Sequence, residues 1–168
     1  MAQRAKITMS RFASGVVIRV GGAGTVAESP LVHAVAEQIL RDADQQVVID
    51  LASCTYVDST FLGGLVGLFR RHGASGARFA IFAPEPLRRP LFGVSRLDTI
   101  LPFVDQEPVV LSEGISVDVQ LPTSAEDLAR YVAECHRRLA EVGGPEAHEF
   151  SRVADAITAE VEGKVGTE

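Results

Sequence analysis

Apolar positions run in short, β-branched stretches through the first third of the chain and then shift to repeats of three and four residues. Ile7 to Phe12 and Gly15 to Gly21 read as strands, and Ala13-Ser14-Gly15 between them predicts a hairpin. The cluster Gly21 to Gly24 marks a bend. Ser29 followed by Pro30 predicts a helix start with Ser29 as cap, and Leu31, Val35 and Ile39 form its apolar face up to Asp42. Val47 to Leu51 is apolar except for Asp50, the pattern of a strand buried on both faces of a parallel sheet. Ala52 to Val57 reads as a polar link. Beyond Asp58, the residues Leu62, Leu65, Val66 and Phe69 recur at helical spacing, and Arg70, Arg71, His72 and Gly73 close that helix. Arg78 to Ala83 is a second buried-type strand. A short helix follows Pro86, with Leu87, Leu91 and Val94 on one face, and Leu97 to Val104 ends in a further short strand.

Strands alternating with helices predict an α/β layered domain: a mixed sheet of about four to five strands with helices packed on it. The expected domain spans residues 1–121, its last part, 105–121, being the least regular. Residues 122–168 form a C-terminal helical extension. Thr123-Ser124-Ala125-Glu126 has the pattern of a capping box after Pro122. Leu128, Tyr131, Val132, Cys135, Leu139 and Val142 make one stripe, Gly143-Gly144-Pro145 breaks it, and Phe150, Val153, Ala154, Ile157 and Val161 make another. The two stripes predict a helical hairpin that must be buried on the first domain or on another subunit, so an oligomer through these helices is open.

Composition narrows the function. The 168 residues are 46% hydrophobic, which excludes a fully disordered chain. No apolar run is long enough for a membrane span, and Met1 to Arg11 lacks the apolar core of a secretory signal. The net charge of −6 shows no basic face, so no direct contact with nucleic acid is expected. Residues 1–121 hold 11 basic and 12 acidic groups, net −1, while 122–168 hold 5 and 10, net −5, which sets the tail apart. Cys54 and Cys135 are isolated and fit a reducing cytoplasm, and no metal-ligand spacing or cofactor motif occurs. The histidines His33, His72, His136 and His148 are scattered, and each is expected at the surface.

The remaining chemistry sits at the start of the second helix. Gly63, Gly64 and Gly67 weaken that helix by propensity, and close packing on a sheet or a partner is the simplest reason for them. Asp58-Ser59-Thr60 precedes them, where unpaired amides and the helix dipole favour negative charge. The triplet can cap the helix, and a phosphate on a hydroxyl there would lie in the favourable end of the dipole while repelling Asp58. Asp50, at the C-terminal end of its strand, lies where ligands sit in open α/β sheets, or else bonds nearby backbone.

The run VVIDLASCTYVDSTFLGGL over 47–65 resembles the central motif of the STAS family, which includes bacterial anti-sigma factor antagonists. Asp50-Leu51, Asp58-Ser59-Thr60, Leu62 and Gly63 carry the match, with Arg78 to Pro84 and Leu97-Asp98 resembling the family's next strand and turn. The resemblance covers about residues 5–105. It implies a STAS-like fold and a non-enzymatic module that binds an anti-sigma factor acting as a serine-protein kinase. It further implies that Ser59 accepts the phosphate and so releases that partner, that a serine phosphatase resets the switch, and that Asp58 and Thr60 line the contact surface with Asp50 nearby. Phe61 stands where the family usually has glycine, either altering the kinase's approach or serving as an apolar anchor for a partner. A second reading is a STAS-type scaffold or accessory subunit that assembles constitutively, with Ser59 only a cap. A third is an enzyme or small-ligand carrier using the Asp50/Asp58 region, against which stands the absence of a histidine, metal set or second activated nucleophile near the motif.

Overall fold

The computed structural model describes residues 5–73, 78–118 and 124–166. Strand β1 (Lys6–Phe12) turns into β2 (Gly15–Gly24), helix α1 (Ser29–Leu40) follows, then β3 (Gln46–Asp50), β4 (Cys54–Val57) and α2 (Ser59–Leu68). Next come β5 (Phe79–Phe82), α3 (Glu85–Phe92), the short α4 (Leu97–Ile100), β6 (Phe103–Val104) and β7 (Ile115–Val117). Two long helices, α5 (Ala125–Val142) and α6 (Ala147–Val165), end the described chain.

Among the described residues seven strands lie in the order β6-β5-β3-β2-β1-β7, with β4 on the far end of β2. β2, β3, β5 and β6 run parallel, and β1 and β7 add antiparallel neighbours, so the sheet is mixed as expected. The five strands read from the sequence are all present. The two additions are β4, within the polar segment 52–57, and β7, within the irregular stretch 105–121. In β4 only Cys54 and Val57 are buried, too few to show a pattern. The glycines at 21–24 do not end β2: the strand continues past a register shift between Gly22 and Ala23 and pairs there with β4.

One sheet face, through Ile18, Val20, Val47, Ile49, Phe79 and Ile81, joins α1 and α2 in the main core. The central strands β3 and β5 are buried along nearly their whole length, in keeping with their continuous apolar sequence. α2 is buried on almost its entire circumference, as an all-apolar helix must be. It lies against α5, which in turn pairs with α6. The hairpin is thus seated on its own chain, and Leu139 of α5 belongs to the main core.

Three helix starts differ in detail from expectation. Ser29 does not cap α1: its hydroxyl is drawn to the Thr60 carbonyl at 3.2 Å and to Tyr131 at 2.8 Å. At α5, Ser124 is the cap and accepts from the Asp127 amide, and Thr123 lies outside the described residues. α3 begins at Glu85, one turn position before Pro86, and Val94 is exposed beyond its end.

Asp50 closes β3 with its side chain fully buried, and Arg19 Nε of β2 donates to Oδ2 at 2.8 Å while the Ala52 amide donates to Oδ1 at 2.9 Å. Removing one partner of such a pair strands a buried charge. Arg19→Met, which keeps the stem and deletes the cation, is expected to lower stability by about 3 kcal/mol, toward the low end for buried pairs because the arginine is 39% exposed. A shift of the urea midpoint at unchanged slope checks this, with Arg19→Lys recovering part of the loss.

Candidate functional site

The Asp58-Ser59-Thr60 triplet sits where β4 turns into α2, and local chemistry fixes each side chain differently. Asp58 is the cap: Oδ1 accepts from the Phe61 amide and Oδ2 from the Val26 amide, both at 2.8 Å. The second bond ties the helix start to the end of β2. Thr60 is buried at 4% exposure, its carbonyl held by Ser29, and Phe61 is buried at 1% with its ring against Gly24. Neither side chain reaches the surface in this arrangement, and Asp50 is likewise enclosed with both oxygens engaged inside the chain. Phe61 therefore takes a place in the core, filling the space above Gly24, rather than the exposed position of an anchor.

Ser59 is different. At the first position of α2 it is half-buried, and it lines a groove of about 580 Å³ together with His136. Leu62, Leu91, Phe150 and Val153 make the groove largely apolar, while Asp58, Glu146 and Glu149 give it an acidic rim. Tyr56 stands at its mouth, 56% exposed.

The wall opposite Ser59 is the tail. α5 crosses α2 along the glycine face, and a Cβ placed on Gly63 would lie 2.4 Å from the Cys135 carbonyl oxygen. One on Gly64 would meet the Ser29 and Tyr131 hydroxyls at 2.8 Å, and one on Gly67 would meet the Arg138 guanidinium. The glycines thus serve close approach of two helices, and the partner is the chain's own α5. Because Ser29 Oγ donates to a carbonyl, the Tyr131 hydroxyl donates to Ser29. Burial pushes the Tyr131 phenol well above its ordinary range and the Cys135 thiol up to about 11, so neither ionises near neutrality.

This crossing brings His136 to the site. It is buried at 8% exposure, not on the surface as expected, and its Nε2 lies 3.0 Å from Ser59 Oγ. Its Nδ1 lies 2.8 Å from the Val132 carbonyl, and the Phe150 ring meets the imidazole edge-on at 5.9 Å between centroids. The expectation that no histidine stands near the motif is overturned by α5, which bridges 77 positions of sequence. A signal was present: His136 follows Val132 by four residues and so continues one edge of the buried stripe. The other histidines lie elsewhere. His72 pairs with Glu37 at 3.0 Å, and burial, then Arg138, pushes His33 down to about 4. Among the described residues no group of acidic, cysteine or histidine side chains could hold a metal ion, and no helix is long and apolar enough to cross a membrane.

Residues 7–104 match the family described as "Mlab, STAS domain". No curated protein matches the chain. Among solved structures, an anti-sigma factor antagonist from Mycobacterium paratuberculosis is 21% identical, with 60% of this chain and 85% of that one covered and a TM-score of 0.51. The anti-sigma factor antagonist SpoIIAA in its unphosphorylated form is 20% identical, with 60% and 89% covered and a TM-score of 0.47. At such identity the first likeness shows a shared fold. The helices α5 and α6, and with them His136, lie beyond the residues matched to the family.

Proposed function

This chain belongs to the STAS domain family, and we propose that it works as an anti-sigma factor antagonist, a non-enzymatic cytoplasmic module that binds an anti-sigma factor with serine-kinase activity and is switched off by phosphorylation of Ser59. The observation that carries the reading is the placement of the two hydroxyls in the motif. Thr60 is enclosed, whereas Ser59 opens the first turn of α2 and faces the groove. A phosphate there lies at the positive end of the helix dipole, so the modified state is compatible with the fold. The solved neighbour described as an anti-sigma factor antagonist supports the reading through its fold.

Release follows from the groove's composition. Phosphorylation adds about −2 charge at neutral pH together with a hydration shell. The floor is apolar and the rim already carries Asp58, Glu146 and Glu149. A partner that covers Ser59 would have to strip water from the dianion against apolar side chains, at a cost of several kcal/mol. A serine phosphatase would restore the binding form.

The test is a comparative pull-down from the native host with tagged wild type and Ser59→Asp as baits. The expected result is an anti-sigma factor kinase held by wild type and reduced tenfold or more with Ser59→Asp, while Ser59→Ala binds and is not phosphorylated. Equal retention of the same partners by all three baits would replace this reading with that of a constitutive STAS-type scaffold or accessory subunit. The apolar groove between α5 and α6, lined by Leu128, Ala129, Val132, Ile157 and Val161, favours that second reading.

A further inference from the structure

We infer that Ser59 and His136 form a nucleophile–base pair, in which the chain's own C-terminal hairpin activates the phosphoacceptor hydroxyl. The inference deepens the function proposed above and rests on it for the natural electrophile, though not for the reactivity itself.

The protonation pattern follows from the partners. The Val132 carbonyl can only accept, so His136 Nδ1 carries a proton and donates to it at 2.8 Å. In the neutral ring Nε2 then bears the lone pair, and Ser59 Oγ, 3.0 Å away, donates its proton to it. A hydroxyl bonded to a base that a third group orients is the arrangement of an activated nucleophile. Two further features favour that role over a simple tie between helices. The adjacent residue in sequence, Asp58, has both carboxylate oxygens occupied by backbone amides and does not compete for the proton. Both residues also line the open groove, where an electrophile can reach the pair, with Ser59 half-buried and His136 only 8% exposed.

In the natural reaction Ser59 Oγ attacks the terminal phosphorus of a nucleoside triphosphate held by the partner kinase. The Oγ–P bond forms, the bond from that phosphorus to the β–γ bridging oxygen breaks, and nucleoside diphosphate leaves. The hydroxyl proton passes to His136 Nε2 and then to solvent. The base is thus supplied by the acceptor protein.

An alkyl fluorophosphonate tests the pair without any partner. Its neutral phosphorus suits an apolar groove with an acidic rim, and attack forms the Oγ–P bond as fluoride leaves and His136 takes the proton. Peptide mass spectrometry of the full chain is expected to find the label on Ser59, and none at that site in Ser59→Ala. His136→Gln retains a polar side chain but no base, and is expected to label roughly 10²–10⁴-fold more slowly. His136→Ala should be similarly slow and regain part of the rate when free imidazole is added, which a purely structural tie would not produce. Thermal unfolding of both variants confirms that they are folded. Labelling of Ser59 no faster than of other exposed serines, or a wild-type rate in folded His136→Gln, would overturn the inference. The pull-down is read separately: a partner lost with Ser59→Asp alongside an unreactive Ser59 would sink the pair and leave the antagonist reading standing.

Discussion

Phe61→Ala is expected to destabilise the protein by about 3–5 kcal/mol, the range for truncating a buried phenylalanine. The ring is 1% exposed and rests on Gly24, where a Cβ would approach it to 3.0 Å. The space it fills lies between the end of β2 and the first turn of α2, so the loss opens a cavity directly behind the Asp58 cap. For a chain of this length such a loss lowers Tm by roughly 6–20 °C. Differential scanning calorimetry checks it. If Phe61→Ala instead left Tm unchanged while weakening partner capture, the residue would be a surface anchor and its placement in the core would be wrong. Gly24→Ala alone should also destabilise, and should be better tolerated when Phe61 is shortened, because the two share one volume.

Gly63→Ala has the second large effect, and its sign runs against propensity. In an exposed helix the change would gain about 1 kcal/mol. Here the added methyl would stand 2.4 Å from the Cys135 carbonyl oxygen and 2.6 Å from its Cα, backbone atoms that cannot turn aside. Either α5 moves or α2 does. Overpacking of this kind costs about 1–3 kcal/mol and more where backbone must shift, so the clash outweighs the propensity gain. The expected outcome is a net loss of about 2 kcal/mol, or roughly 4–8 °C in Tm. His136 is the next residue along α5, so the same displacement breaks its bond to Ser59. Fluorophosphonate labelling of Gly63→Ala should therefore slow as well, whereas Gly163→Ala, exposed in α6 where a Cβ meets nothing within 4 Å, should raise stability by up to about 1 kcal/mol and leave labelling unchanged.

How far the chain was legible from sequence depends on which interactions are local. β3 and β5 were readable because burial on both faces leaves an unbroken apolar run. α2 was readable from its repeat, and its glycines correctly signalled a close neighbour. What the pattern could not supply was the neighbour's identity, since the Gly63–Cys135 contact joins residues 72 positions apart and has no periodicity of its own. The Ser29 cap failed for a related reason: a hydroxyl suited to a local role was claimed by Tyr131 and the Thr60 carbonyl, both distant in sequence. β4 escaped because an edge segment with two buried residues of four carries no pattern to detect. In the site, the local part, Asp58 capping α2, was foreseen as a capping role for the triplet. His136 was not, because an isolated histidine on an amphipathic helix reads as a polar flank until the opposing surface is known.

The seating of α5 on α2 also sets an order of events during synthesis. All seven strands and α2 have been made before residue 125 is added, yet the glycine face of α2 has no cover until α5 follows. At ribosomal rates of about 5–20 residues per second, the interval from Leu68 to Val142 lasts roughly 4–15 seconds. Until α5 is in place the glycine face of α2 is uncovered and Ser59 is without its histidine, so the site is assembled later than the sheet that carries it.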